Sequence, residues 1–335
     1  MDERYCLMEA WLRDGLRLPS HQLAPASSDA SFRRYFRATQ QDGRTYIIMD
    51  APPTHEDCRP FIKVANAFAK AGLNVPKILA QDLAQGFLLL TDLGAEQYLA
   101  VLNDNTVDTL YGDALAALAR LQLHSDASLV LPLYDDALLK REMELFREWF
   151  LGRHLALAVT DEMMRTLTEA FAKLSSCALE QPTSWVHRDY HSRNLMFTRT
   201  DNPGVLDFQD AVVGPVTYDL VSLLRDCYIS WPRARVEQWA LRHLASVRSV
   251  PGLGDVSSRE FLRWFDLMGV QRHLKAIGIF ARLNYRDHKP GYLKDIPRTL
   301  GYVVDVAQRY GELTDFSALL QRHVLPQVAI QPAAQ

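Results

Sequence analysis

The sequence predicts an α+β chain of two lobes, a small β-rich one over residues 1–94 and a larger, mainly helical one over 95–325. Three observations predict it. Residues 31–39 alternate aromatic and basic side chains, and an Asp42-Gly43 turn signal leads from them into the β-rich run 45–49, the pattern of a hairpin. Residues 86–90, GFLLL, are continuously apolar, as in a strand buried on both faces. After Asp92-Leu93-Gly94, helical periodicity takes over in long stretches, at 106–124, 135–151 and 160–180.

The elements follow in order. Residues 2–14 have helical spacing, with Tyr5, Leu7, Met8, Trp11 and Leu12 on or near one face. Residues 27–30, SSDA, read as a small-residue loop before the hairpin. Residues 56–71 return to helical spacing through Phe61, Val64, Ala65 and Phe68 and stop at Gly72. Strands are predicted at 77–80 and 86–91. Within the second lobe, residues 185–208 break the helical pattern and read as a loop flanked by short strands. Helix resumes from about 216 to 323, and the small, polar tail 326–335 is predicted to fray.

Composition narrows the function classes. The 335 residues are 48% hydrophobic and 23% charged, the balance of an ordinary globular protein. A net charge of -3 argues against general nucleic-acid binding, which calls for a basic domain. The four cysteines lie far apart without a CxxC pair, so they read as buried thiols rather than a disulfide frame or a metal site. The N-terminus lacks a signal-peptide apolar core, and no apolar run approaches the roughly 20 residues that span a bilayer. A cytoplasmic protein, a monomer or weak homo-oligomer without membrane or nucleic-acid partners, is predicted.

The chemistry lies in His187-Arg188-Asp189-Tyr190-His191-Ser192-Arg193-Asn194. Phosphoryl transfer needs an oriented hydroxyl nucleophile, metal ions on the phosphates and a cradle for the nucleotide, and little covalent help. Kinases supply these with a loop H-x-D-x-x-x-x-N and a further Asp on a nearby strand. His187, Asp189 and Asn194 have that spacing, and Asp207 follows in VLDF. The intervening segment reads as a hairpin that returns Asp207 beside Asn194, where both could face one Mg²⁺. Any one of these residues would ordinarily be a turn, cap or core residue. Their joint order, each on an element of the right type, is what carries the reading.

HRDYHSRN with VLDFQDA resembles the aminoglycoside phosphotransferase and choline kinase superfamily, in which a His such as His191 stands where protein kinases have Lys. The resemblance covers almost the whole chain and implies a bilobal protein-kinase-like fold that uses ATP and Mg²⁺. It implies that Asp189 orients or deprotonates the acceptor hydroxyl, with His187 and His191 in the same loop. It implies that Asn194 and Asp207 hold Mg²⁺, and that Asp219 in GPVTYDL buttresses the loop. Leu90, Thr91, Asp92 and Leu93 would meet adenine, and Ser28, Asp29, Ala30, Ser31 and Phe32 would cover the phosphates. Two departures stand out. SSDASF has no glycine, and Met49 occupies the place of the lysine that pairs with the α/β-phosphates. Either Arg33, Arg34 or Arg37 supplies that charge or ATP binds without it; Glu56 is the nearest candidate for the lysine's usual carboxylate partner.

Residues 221–300 hold fourteen Lys/Arg and seven Asp/Glu, against the acidic balance of the whole. Such a segment would repel a polycationic aminoglycoside and suit a neutral or anionic acceptor, or else is a solvated helical face. The stretches SDASFRRYFR, YIIMDAPP, LLLTDLG and QRHLKAIGIFARL resemble the anomeric amino-sugar kinases of cell-wall recycling. That resemblance implies an N-acetylmuramate or N-acetylglucosamine acceptor phosphorylated at C1. Arg272 and Lys275, three apart on one helix, are candidate partners for its carboxylate or hydroxyls. Arg282 and Arg286 come second, and Tyr228 and Trp231 are candidates for stacking on the sugar or for core packing. Another phosphotransferase of the same fold and a non-catalytic pseudokinase remain as rival readings.

Overall fold

The computed structural model describes residues 3–18, 20–28, 32–124 and 131–330. They divide into two units. The first takes residues up to Asp113 together with Asn194–Asp210; the second takes the chain from Ala114 to Arg193 and from Ala211 onward.

In the first unit, helix α1 (Glu3–Ala10) widens into a π turn over Trp11–Gly15. Strands β1 (His21–Ser28), β2 (Arg34–Gln40), β3 (Thr45–Asp50), β4 (Ile78–Asp82) and β5 (Phe87–Thr91) form one antiparallel sheet in the order β1-β2-β3-β5-β4. The Asp42-Gly43 turn joins β2 to β3 as the sequence predicts, with Gly43 at φ 83°. β1 departs from the prediction, because Ser27 and Ser28, read as loop, close a strand. HQLAPASS has neither alternation nor a β-rich composition. It is an edge strand with Pro25 at a bulge, where a missing N–H costs no ladder bond.

The sheet has two distinct faces. Phe36, Ala38, Tyr46, Ile48, Phe87 and Leu89 pack with Met8 and Leu12 beneath α1 and its π turn. Tyr35, Met49 and Leu88, paired across strands, point the other way, as do Arg37, Ile47 and Leu90. Helix α2 (Cys58–Lys70) is capped by Asp57, whose side chain accepts from the Arg59 N–H, and ends at Gly72, φ 84°. Its Phe61 and Phe68 pack on Phe208. Helix α3 (Tyr98–Val101), the start of α4 (Val107–Leu123) and the two-stranded hairpin β7 (Leu195–Met196) with β8 (Gly204–Val205) complete the unit.

The second unit is helical apart from the pair β6 (Thr183–Val186) and β9 (Val212–Pro215). Helix α5 (Asp136–Leu145) runs on as a π segment over Phe146–His154, and α6 (Asp161–Leu179) is capped by Thr160. After α7 (Tyr218–Leu224) and α8 (Arg233–Ser246) comes α9 (Ser258–Asp287), 30 residues and about 45 Å long. Helix α9 packs on α5, α6, α7 and α10 (Ile296–Arg309). A helix covered on so many sides buries polar residues as well, among them Asp266, Gln271, Arg272, His273 and Lys275. Helices α11 (Thr314–Leu319) and α12 (Leu325–Ile330) follow, so residues 326–330, read as fraying tail, are helical. Cys58, Cys177 and Cys227 are buried as expected, whereas Cys6 lies on the outward side of α1 and is exposed. Among the described residues no helix is long and apolar enough to cross a membrane.

Candidate active site

In the second unit, β6 delivers the chain to His187, which is fully buried. The loop beyond it is fixed by three carboxylates. Asp219, buried in the first turn of α7, accepts the N–H of His187 at 2.6 Å and of Arg188 at 3.0 Å. Between those anchors Arg188 takes the left-handed φ of 77°, a conformation held only where the surroundings over-determine it. Asp226 accepts the N–H of Ser192 and of Tyr228, both at 2.9 Å. Glu142 of α5 takes the Arg188 guanidinium, the Lys275 ammonium at 3.1 Å and the Tyr134 hydroxyl. The Tyr190 hydroxyl donates to the Ala114 carbonyl at 2.8 Å, and the Asp189 N–H donates to His187 Nδ1 at 3.2 Å.

This frame sets the charge on Asp189. Burial alone would raise its pKa, but Lys275, His191, Arg272 and His187 outweigh it and hold the carboxyl below its ordinary range. Burial, which favours the neutral form of either group, lowers the pKa of His191, so at neutral pH that ring is uncharged. Lys275 and Arg272 are the permanent cations among the groups that act on Asp189. Lys275 also donates to the Tyr218 hydroxyl at 3.1 Å. Arg272 is 5% exposed and its guanidinium donates to Cys227 Sγ at 3.6 Å. Tyr228 lies face-on to Arg193, 3.8 Å from ring centre to guanidinium, and edge-on to His191. Trp231 instead packs against Trp239 of α8 and beside Arg235.

In the first unit, the β7–β8 hairpin pairs Leu195 with Val205, and the Leu206 N–H donates to the Asn194 carbonyl at 2.9 Å. That register brings the Asn194 amide to 3.3 Å from Asp207 Oδ2. Asp207 has a φ of 63° and accepts from the Gln209 amide at 2.8 Å. Gln209 Oε1 is buried with no hydrogen-bond partner among the described residues. One carboxylate with neighbouring amide oxygens is a hard, oxygen-only donor set. It fits Mg²⁺, which keeps waters and phosphate oxygens as its other ligands.

The residues predicted to meet the nucleotide fall in several places. Asp29, Ala30 and Ser31 lie outside the described residues, as does the side chain of Ser28, whose backbone ends β1. Phe32 is 64% exposed and stacks on His55. Leu90 sits within β5 between Ile47 and Ile78, and the Thr91 hydroxyl accepts the Lys77 N–H at 2.9 Å. Asp92 pairs with Arg37 at 2.6 Å and accepts the Gly94 N–H at 2.9 Å, leaving Leu93 on the turn that this pairing shapes. Arg34 lies on the α1 face of the sheet, bonded at 2.8 Å to fully buried Asp50, which also pairs with Arg4.

Sequence reasoning missed Glu142, Asp226, Arg193 and Gln209. Glu142 carried a usable signal, a carboxylate on the apolar face of α5 beside Leu139 and Met143.

A β-rich unit, a helical unit, a carboxylate-pinned H-x-D-x-x-x-x-N loop and a hairpin-borne Asp define a protein-kinase-like phosphotransferase. The chain belongs to the phosphotransferase enzyme family, whose pattern matches residues 22–256. It is 49% identical over 330 residues to a Pseudomonas aeruginosa N-acetylmuramate/N-acetylglucosamine kinase, covering 97% of this chain and 95% of that one. A Neisseria meningitidis serogroup B protein of the same name is 42% identical over 95% of each chain. Among solved structures it is similar to the GDP complex of aminoglycoside 2'-phosphotransferase-IIIa. That likeness has a TM-score of 0.62 at 14% identity, over 92% of this chain and 100% of that one. It is also similar to Plasmodium vivax ethanolamine kinase, with a TM-score of 0.62 at 12% identity, over 90% and 89%. At those identities the structural likeness establishes the fold alone.

Proposed function

We propose that this ATP-dependent phosphotransferase acts on the anomeric C1 hydroxyl of N-acetylmuramate and N-acetylglucosamine, in peptidoglycan recycling. The observation that carries the phosphoryl-transfer reading is Asp189, half-buried, ionised and fixed in a loop held by Asp219, Asp226 and Glu142. The sugar reading is supported by the names of relatives that match nearly end to end at 42–51% identity. It is supported also by Arg272 and Lys275, cations buried within the second unit rather than spread on a solvated face. A carboxylate-bearing sugar suits such a site better than a polycation does.

In this reading Asp189 accepts a hydrogen bond from the C1 hydroxyl and aims its oxygen at the γ-phosphorus of ATP. The new O–P bond forms as the bond to the β,γ-bridging oxygen breaks, ADP departs, and the hydroxyl proton passes to Asp189 or to solvent. Mg²⁺ held by Asn194 and Asp207 would neutralise charge on the phosphates. His187 Nδ1 accepts the Asp189 backbone N–H and so orients that residue, and neutral His191 shapes the loop without adding a charge. Asp189→Asn is expected to lower kcat by at least about 10²-fold. Phosphorus NMR of the product from N-acetylmuramate should give an anomeric phosphate coupled to H1. A phosphate on another hydroxyl, or turnover of kanamycin-like polycations but not N-acetyl sugars, overturns the sugar 1-kinase reading.

A further inference from the structure

We infer that the ion pair of Arg33 with Glu56 grips the nucleotide phosphates, in place of the lysine–glutamate pair that Met49 rules out. The inference rests on the ATP-dependent reading of the site. In kinases that pair is a cation on the third strand held by a helix carboxylate, and it engages the α/β-phosphates. Met49 is 1% exposed and uncharged, so any such cation must come from elsewhere on its face of the sheet.

Strand parity sets Arg34 aside, and side-chain partners separate the other two nearby arginines. Tyr35 pairs with Met49, so odd-numbered β2 residues share its face and even-numbered ones point to α1. Arg34 is thereby on the opposite face, held by buried Asp50. Arg37 is on the correct face, in the middle of the strand and opposite Ile47. Its guanidinium is committed there to Asp92 and to the Gly94 carbonyl at 2.8 Å. Arg33 lies two residues ahead of Tyr35, at the end where β3 finishes.

Arg33 also has the partner that the role requires. Its Nε is 3.1 Å from Glu56 Oε2, the two side chains 14% and 15% exposed. Burial works against the charge, but Tyr35 and Glu56 more than offset it, so the guanidinium stays charged. Glu56 is itself placed by the chain before α2, its N–H donating to the Pro52 carbonyl at 2.9 Å. Arg33 directly follows the 28–32 segment in sequence. A guanidinium has five N–H donors in a planar fork, enough to serve a carboxylate and phosphate oxygens together. Two partly buried, opposite charges just ahead of the strand that pairs with Met49 are hard to explain as surface decoration, where pairs are usually exposed.

The test is equilibrium binding by the full chain, titrated with Mg·ADP and separately with adenosine, which has no phosphate. Arg33→Gln should raise the Kd for ADP by about 10- to 100-fold and leave that for adenosine within about twofold. Arg33→Lys should recover most of the loss, because it restores the charge. An ADP affinity that Arg33→Gln leaves unchanged overturns the inference. Equal losses for ADP and adenosine also overturn it, since they would mark a structural role. Adenosine binding certifies that the variant is folded. If Arg33→Gln does not fold, Glu56→Gln carries the test: ADP should weaken by about 3- to 10-fold with adenosine unchanged, and no change overturns the inference. A wild-type chain that binds neither ligand would instead sink the ATP-dependent reading beneath it.

Discussion

Glu142 is the residue on which the greatest stability loss should fall for the smallest change in shape. Its side chain is 7% exposed and meets Arg188, 18% exposed, and Lys275, 10% exposed, as well as the Tyr134 hydroxyl. Burial raises its pKa, but Lys275 and Arg188 overcome this and keep it below the usual carboxylate range. Glu142→Gln keeps the volume and removes the charge, leaving two largely buried cations facing a neutral amide. Breaking a buried pair from one side costs about 3–5 kcal/mol, against about 0.5 kcal/mol or less for an exposed helical pair such as Lys140–Asp136. Urea unfolding followed by tryptophan fluorescence, with Asp136→Asn as the control on the same helix, measures both. Adding Lys275→Met to Glu142→Gln removes one of the stranded cations, so the double variant should lose about 1 kcal/mol or more less than the sum of the singles. A Glu142→Gln variant within about 1 kcal/mol of wild type would refute the picture of a charge-balanced interior anchor for the loop.

Asp219→Ala strands the N–H groups of His187 and Arg188 in the interior, so stability should fall by about 2–5 kcal/mol and kcat should fall more than KM rises; a native kcat in the folded variant contradicts the anchoring role. At Gly278 an added Cβ would lie 2.3 Å from the Leu145 backbone carbon. Gly278→Ala should therefore cost about 3 kcal/mol or more by prising α9 from α5, while Gly301→Ala, with nothing within 4 Å, should be neutral or stabilising in the same urea assay. Burial pushes His243 down to about 4 and His273 down to about 3 and lowers His154 and His191 too, so the unfolded chain binds more protons than the folded one below pH 6.5 and stability falls on acidification. Asp219, pushed up to about 7 by burial, takes a proton in the folded state and opposes the equivalent of one histidine. The net loss should be at least about 1.4 kcal/mol per pH unit between pH 6 and 5, and a flat urea midpoint across that range would contradict it.

What the sequence determined by itself was whatever depends on short spacing. The Asp42-Gly43 turn, the apolar β5, the helices from α4 to α6 and the hairpin that joins Asn194 to Asp207 are all encoded within a few residues. Turn chemistry and hydrophobic period act locally, so they can be read without knowing the rest of the chain. The loop HRDYHSRN was legible for the same reason, its chemistry being carried by fixed intervals. Tertiary structure alone decided which face each arginine serves. Arg33, Arg34 and Arg37 look equivalent in SFRRYFR, and only strand register and the positions of Glu56, Asp50 and Asp92 separate them. It also decided that Glu142 of α5 and Lys275 of α9 meet beneath Arg188, far apart in the chain. Such pairings come from how helices pack, and packing depends on every buried side chain at once. β1 was hidden for a third reason, because an edge strand with Pro25 at a bulge needs no alternation and its sequence shows none.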